Sequence, residues 1–277
     1  MDNLLSDVLN NVQFTIVYNM LSLGIASMLF TAIFLWVARD RVLPKYRMAV
    51  MVSATVTSIA AYHYFRMFDS FNEAYGGMHD ETSGVPAAVQ AFAHYNVGYR
   101  YIDWFLTVPL LLVELVAVLG LAKALQSSLL KRLVPAAALM IALGYPGDAK
   151  LNILGIEGTG FASEAAVWGL LSTIPFLYIM YVLWFELKKS LASQSDKVRG
   201  LFQTLRVLLI ATWGVYPITF ILAMNTALPS ASDVVNREVG YTIADILAKC
   251  LFGLIIFSIA RIKSAEEDKS HASQEGH

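Results

Sequence analysis

Charge is scarce in this chain. Only 15% of its 277 residues are Asp, Glu, Lys or Arg, whereas soluble domains carry about a quarter. Hydrophobic residues reach 57% and mean hydropathy is +0.58, which points to a membrane protein. Cationic excess is missing as well. A net charge of −1 offers no electrostatic footprint for nucleic acid, so no such partner is expected. Cysteine is reduced to Cys250, which rules out a disulfide framework and reads as a small apolar core residue. The opening "MDNLLSDVLNNVQF" has no basic stretch before an apolar run. No cleavable signal peptide is therefore expected, and insertion would rest on the first helix. His79 and His94 lack regular ligand spacing and read as loop residues, so no metal site is expected. No internal repeat is evident.

What is abundant is long apolar runs. A crossing helix needs about 20 mostly apolar residues. Segments 14–37, 47–69, 97–122, 130–147, 164–187, 203–226 and 237–260 meet or approach that length. The fold class is therefore an all-α membrane protein, a seven-transmembrane-helix bundle over residues 1–263. The polar tail 264–277, with His271 and His277, is expected to be disordered. Connections are short except for 70–96, where Gly76-Gly77, Ser83-Gly84 and Pro86 mark turns compatible with a small hairpin.

Cations sort to one side. Arg39, Arg41, Lys45 and Arg47 share it with Lys123, Lys131 and Arg132, and then with Lys188, Lys189, Lys197, Arg199 and Arg206. Arg261, Lys263 and Lys269 complete the set, while the other side has only Lys150 and Arg237. The positive-inside rule puts the N-terminus outside and the C-terminus in the cytoplasm.

Several ionisable residues fall inside the spans: His63, Arg66, Arg100, Asp103, Glu114, Asp245 and Lys249. Intramembrane charge is costly, so such residues are functional candidates whose partners should be named. In "RYIDWFLTVPLLLVELVAVLGLA", Arg100, Asp103, Thr107 and Glu114 fall near one helical face. Asp103 and Glu114 lie roughly 16 Å apart along the axis. In "GYTIADILAKCLFGLIIFSIA", Asp245 and Lys249 share a face one turn apart. From the cytoplasm outward the order becomes Glu114, then Lys249 with Asp103 and Asp245, then Arg100. This column suggests a proton path. Structural ion pairs are the plain alternative. A nearby cation favours ionised Asp103 and Asp245, while the leucines around Glu114 favour its neutral form. Thr107 could orient the Asp103 carboxylate, although threonines in membrane helices more often bond back to their own backbone.

"RYIDWFLTVPLLLVEL", "WGVYPITF" and "VGYTIADILAKCLFG" resemble the third, sixth and seventh helices of microbial rhodopsins, nearest the proteorhodopsin and xanthorhodopsin group of outward proton pumps. The resemblance spans essentially all seven segments. It implies all-trans retinal bound to Lys249 as a protonated Schiff base. Asp103 becomes proton acceptor and counterion, Asp245 the second counterion, Glu114 the proton donor and Arg100 the release-side gate. Asp103, Thr107 and Glu114 reproduce the Asp-Thr-Glu pattern of proton-pumping members. His63, in "AAYHYFRMF", matches the histidine that partners the acceptor, and its titration would be coupled to that of Asp103.

The same resemblance assigns a retinal pocket to Trp104, Leu111, Met140, Gly144, Trp213, Tyr216 and Pro217. Trp104 and Trp213 sandwich the polyene, and Leu111 stands where leucine accompanies green absorption. Gly169 stands where many relatives carry a bulky aromatic. In xanthorhodopsin-like members the gap admits a carotenoid ring, so a hydroxylated carotenoid antenna is implied; easier helix packing is the plain alternative.

These readings predict a light-driven outward proton pump, a transporter rather than an enzyme, in the bacterial inner membrane. Its partners would be lipid bilayer, protons and copies of itself, since relatives form pentamers, hexamers or trimers. Pro217 is a candidate for local bending. A photosensor signalling to a transducer is the main rival, and Glu114 argues against it. A retinal-free transporter or receptor holding an Asp245–Lys249 salt bridge is the second. The terminal release group is open among Glu73, Glu81, Glu157, Glu164, Asp233, Glu238 and a water cluster.

Overall fold

A computed structural model describes residues 8–76, 87–187, 191–192, 194–224 and 230–275. Its helices are α1 (Asn11–Ala38), α2 (Pro44–Tyr75), α3 (Ala87–His94), α4 (Gly98–Val118), α5 (Lys123–Asp148) and α6 (Glu164–Tyr181). Then follow α7 (Asp196–Trp213), α8 (Val215–Met224), α9 (Ala231–Asp245) and α10 (Phe252–Glu275). Strands are absent among the described residues. Seven helical segments are long and apolar enough to cross a membrane: Asn11–Arg41, Pro44–Tyr75, Gly98–Val118, Lys123–Asp148, Glu164–Phe185, Asp196–Ile221 and Ala231–Asp268.

Polar caps make several spans longer than their apolar cores. Asn10 and Gln13 form a capping box at 2.9 and 3.0 Å that starts the first span ahead of residue 14. Pro44 opens the second, where its missing N–H costs nothing. Ser195 caps the sixth span at Asp196, and a Ser230–Asp233 box starts the seventh at Ala231. Hydropathy alone does not register such polar first turns.

Two spans contain π turns, Val182–Glu186 in the fifth and Ile246–Leu251 in the seventh. The sixth is broken at Gly214, between α7 and α8. Pro217 has no N–H to offer the carbonyl of Trp213 one turn back, so the ladder opens there. The expectation of local bending at Pro217 meets this break.

The last helix continues to Glu275, through most of the stretch expected to be disordered. Docking at the cation-rich end explains why residues 264–267 are helical. Ser264 Oγ accepts the Leu43 N–H at 2.9 Å, and Tyr46 O–H donates to Glu267 at 2.5 Å. Residues 77–86, where a hairpin is expected, lie outside the described residues, as do His79, Glu81 and His277; α3 occupies Ala87–His94.

Burial singles out the centre. The hydrophobic windows of the third and seventh spans are 67% and 61% buried, against 22% to 28% for the first, fifth and sixth. The two helices carrying the polar column are thus wrapped by the others, and lipid-facing side chains such as Phe30 and Val37 stay exposed. In the ring, Gly24 lets α1 approach the Tyr64 ring, which stands where a Cβ on that residue would lie.

Candidate functional site

The column assembles at the heart of the bundle. Lys249 lies in the π turn of the seventh span, and such turns recur at functional sites. Its Nζ is 2.5 Å from Asp103 Oδ2 and 3.2 Å from Asp245 Oδ1, with all three residues essentially inaccessible. Burying these charges is tolerable only because the ammonium offsets the carboxylates at hydrogen-bond distance.

The two carboxylates are held very differently. Asp245 also accepts from Tyr216 O–H (2.6 Å), Tyr64 O–H (2.9 Å) and Trp104 Nε1–H (3.3 Å). Asp103 bonds to Lys249 alone through its side chain, and its Oδ1 has no partner. Thr107 does not orient the Asp103 carboxylate: its hydroxyl donates to the Asp103 main-chain carbonyl at 2.8 Å. That back-bond satisfies the hydroxyl inside its own helix, as membrane threonines commonly do. His63 is buried with its Nδ1 unpartnered, and no hydrogen bond joins it to Asp103 among the described residues. Arg66 lies away from the column, bonded to Tyr99 O–H at 2.7 Å near Asp69.

Glu114 sits toward the cation-rich end, fully buried, with neither carboxyl oxygen hydrogen-bonded. Ser53 is its polar neighbour, and the Ser53 hydroxyl donates to the Ala49 carbonyl at 3.2 Å. At the opposite end Arg100 stacks over Tyr241 at 4.7 Å and pairs with Glu238. Glu238 also accepts from Tyr95 O–H (2.8 Å) and Arg237 Nε (3.2 Å). Arg237 is thus buried in the bundle, although its position in the sequence suggests a loop cation.

A cavity of about 420 Å³ is lined in part by Lys249. That volume lies within the roughly 300–1,000 Å³ of small-molecule pockets. Trp104 and Leu111 wall it from α4, and Met140 and Gly144 from α5. Gly169 lines it from α6, while Trp213, Tyr216 and Pro217 line it from the sixth span. Every residue assigned to the pocket therefore borders one space. Its walls are mostly apolar, and among the described residues its one amine is Lys249. A long apolar carbonyl compound fits this arrangement, with its reactive end at Nζ. Beside Gly169 stands the Phe220 ring, 2.6 Å from where a Cβ would lie, so this part of the wall is already approached by an aromatic from the sixth span.

A profile of the bacteriorhodopsin-like protein family matches residues 15–263. The chain belongs to that family. Green-light absorbing proteorhodopsin of Gamma-proteobacterium EBAC31A08 is 32% identical over 236 residues, covering 85% of this chain and 82% of that protein. Among solved structures, xanthorhodopsin, described as a light-driven ion pump with dual chromophore, is 43% identical with a TM-score of 0.80. A thermophilic rhodopsin is 41% identical, also at 0.80. Each of these two covers 94% of this chain and 98% of the other. The chain is a multi-pass microbial rhodopsin of the proteorhodopsin and xanthorhodopsin group.

Several partners escape sequence reasoning. Tyr64 and Tyr216 hold Asp245, yet Tyr64 is hidden beside His63 in "AAYHYF". A usable signal exists, because a buried tyrosine hydroxyl in a membrane helix needs a partner. Glu238, Thr242, Asp245 and Lys249 follow one helical face, so periodicity is enough to place Glu238 in line with the column. Glu73, Glu157, Glu164 and Asp233 stand elsewhere: Glu164 accepts the Ile153 and Leu154 N–H groups at 2.8 and 3.0 Å, and Asp233 serves the Ser230 cap.

Proposed function

We propose that this rhodopsin is a light-driven outward proton pump carrying all-trans retinal on Lys249. The observation that carries the reading is the unequal pair of carboxylates around one buried amine. Retinal held by Lys249 would supply light-driven isomerisation, which weakens the hold of the Lys249 nitrogen on its proton. Everything else is done by the chain. Asp103, whose Oδ1 is free, takes the proton from the Lys249 nitrogen. Asp245, held by three further donors, stays the fixed counterion. Glu114, buried and unpaired, then supplies a proton to the nitrogen and is reloaded from the cytoplasm. Arg100 turns between the Asp103 side and Glu238, so Glu238 is the group through which the outer exit runs. His63, buried on the second span, is the partner assigned to Asp103 by the resemblance. A proton is the only bond-changing cargo, which makes the protein a transporter.

The cation distribution supports N-terminus outside and C-terminus inside, in a bacterial inner membrane. The resemblance supports assembly as a pentamer, hexamer or trimer. It also supports a hydroxylated carotenoid reaching the pocket beside Gly169. For that, the Phe220 ring must leave its present position. In membranes supplied with such a carotenoid, the excitation spectrum of transport then gains the carotenoid bands, and Gly169→Trp removes them while retaining the retinal band. Carotenoid bands absent from the wild-type spectrum would exclude the antenna.

Glu114→Gln tests the donor directly. Its carboxyl bonds to nothing in the dark, so the variant folds and keeps its colour. Reprotonation of the Lys249 nitrogen slows about 100-fold or more, the usual scale for losing one positioned proton donor. Flash spectroscopy reads this as a prolonged deprotonated intermediate. Decay as fast as in the wild type would favour a photosensor.

A further inference from the structure

A further buried cation lies at the cation-rich end, outside the column. Lys263, on α10, is only 8% exposed. Its Nζ donates to the Leu119 carbonyl at 2.7 Å and to Gln194 Oε1 at 3.0 Å, and lies 5.1 Å from the Tyr46 ring. These contacts join the seventh span to three others, the second, the third and the start of the sixth. Leu119 is the C-cap of α4, just beyond one turn past Glu114. Gln194 directly precedes Ser195, the N-cap of the sixth span. One ammonium thus ties the end of the Glu114 helix to the start of the sixth span.

The surroundings hold it there. Gly120 adopts φ +63, turning the chain sharply after Leu119, and a Cβ on it would stand 3.4 Å from Nζ. Tyr46, beneath the ammonium, is fixed through its hydroxyl to Glu267, which also pairs with Lys45. The sixth span beyond Gln194 is broken at Gly214, and its hydrophobic window is only 28% buried, like that of the first span, because it lies at the lipid-facing rim of the bundle. A moving element needs little buried packing.

We propose that Lys263 is a bolt on the uptake side, a positioning residue that keeps the route from solution to Glu114 closed and sets how fast Glu114 is reloaded. This rests on the pump reading with Glu114 as donor. Water must reach the Glu114 carboxylate before it can take a proton, so the α4 terminus and the start of the sixth span must part. Parting them breaks one of the two hydrogen bonds that the ammonium makes to neutral oxygens, and water can replace it. Lys263 keeps its own proton throughout; the proton that arrives goes from water to Glu114.

The test uses the full chain with retinal in vesicles, comparing wild type, Lys263→Met, Gln194→Ala, both together, and Lys263→Arg. After a flash, a pH dye outside the pigment follows proton uptake. Lys263→Met and Gln194→Ala each raise the uptake rate roughly tenfold, the scale of one hydrogen bond to a charged group. The double variant is no faster than either single, because both remove one bridge. Lys263→Arg restores a slower rate. In the dark, hydrogen exchange of amides 119–121 and 194–198 rises in Lys263→Met. Should that variant fail to form pigment, Gln194→Ala carries the flash arm. Uptake in the wild type with unchanged or slower rates in the variants overturns the bolt alone. No uptake in the wild type overturns the pump reading and the bolt with it.

Discussion

Lys249→Ala gives a colourless protein with no light-driven proton movement. Among the described residues lining the pocket, Lys249 offers the one amine. Without it, retinal in the cavity is at best a noncovalent guest, and the proton that Asp103 accepts has no source. The loss is total rather than graded, so transport falls below detection while expression is judged separately. Stability falls as well. Removing the ammonium leaves Asp103 and Asp245 buried without their shared cation, and breaking a buried pair costs about 3–5 kcal/mol. Visible absorption of membranes with added retinal checks the first effect. Thermal unfolding of the two apoproteins checks the second.

Asp103→Asn keeps the pigment and loses the pump. An amide at this position still accepts a hydrogen bond from Nζ but cannot take its proton. The remaining carboxylate, Asp245, is already engaged by Tyr64, Tyr216 and Trp104. Proton flux per absorbed photon therefore drops at least about 100-fold, and the deprotonated intermediate vanishes from flash records. Asp245→Asn differs in kind. It leaves the acceptor in place, so a deprotonated intermediate still forms, while three buried donors lose a charged partner and the fold weakens. Equal loss of the intermediate in both variants would remove the distinction drawn between the two carboxylates.

Much of this arrangement is legible in the amino-acid sequence. Apolar runs at membrane length report seven helices because lipid penalises every unpaired backbone group inside it. Helical periodicity then brings Arg100, Asp103, Thr107 and Glu114 to one face, and Asp245 to the same face as Lys249. The pairing across helices is another matter. Nothing in the α4 sequence states that Asp103 has one free oxygen while Asp245 has none. That difference comes from Tyr64 on α2 and Tyr216 on α8, contributed by two other helices.

The ends of the bundle show the same limit. Lys263 and Arg206 read from sequence as loop cations that orient the protein. In the fold, Lys263 is buried among three spans, and Arg206 donates to the Trp184 carbonyl at 2.7 Å beside the π turn of the fifth span. Long basic side chains reach polar groups that local sequence does not reveal. Helix starts shift for a related reason: polar first turns such as Ser230–Asp233 belong to the helix by capping although they do not belong to the apolar run.

The measurement closest to the central claim is external pH in an illuminated suspension of cells that express the chain and are supplied with retinal. Green light should acidify the medium, a protonophore should abolish the change, and Lys249→Ala cells should show none. Alkalinisation sensitive to the protonophore, or no pH change in visibly coloured cells, would contradict outward pumping.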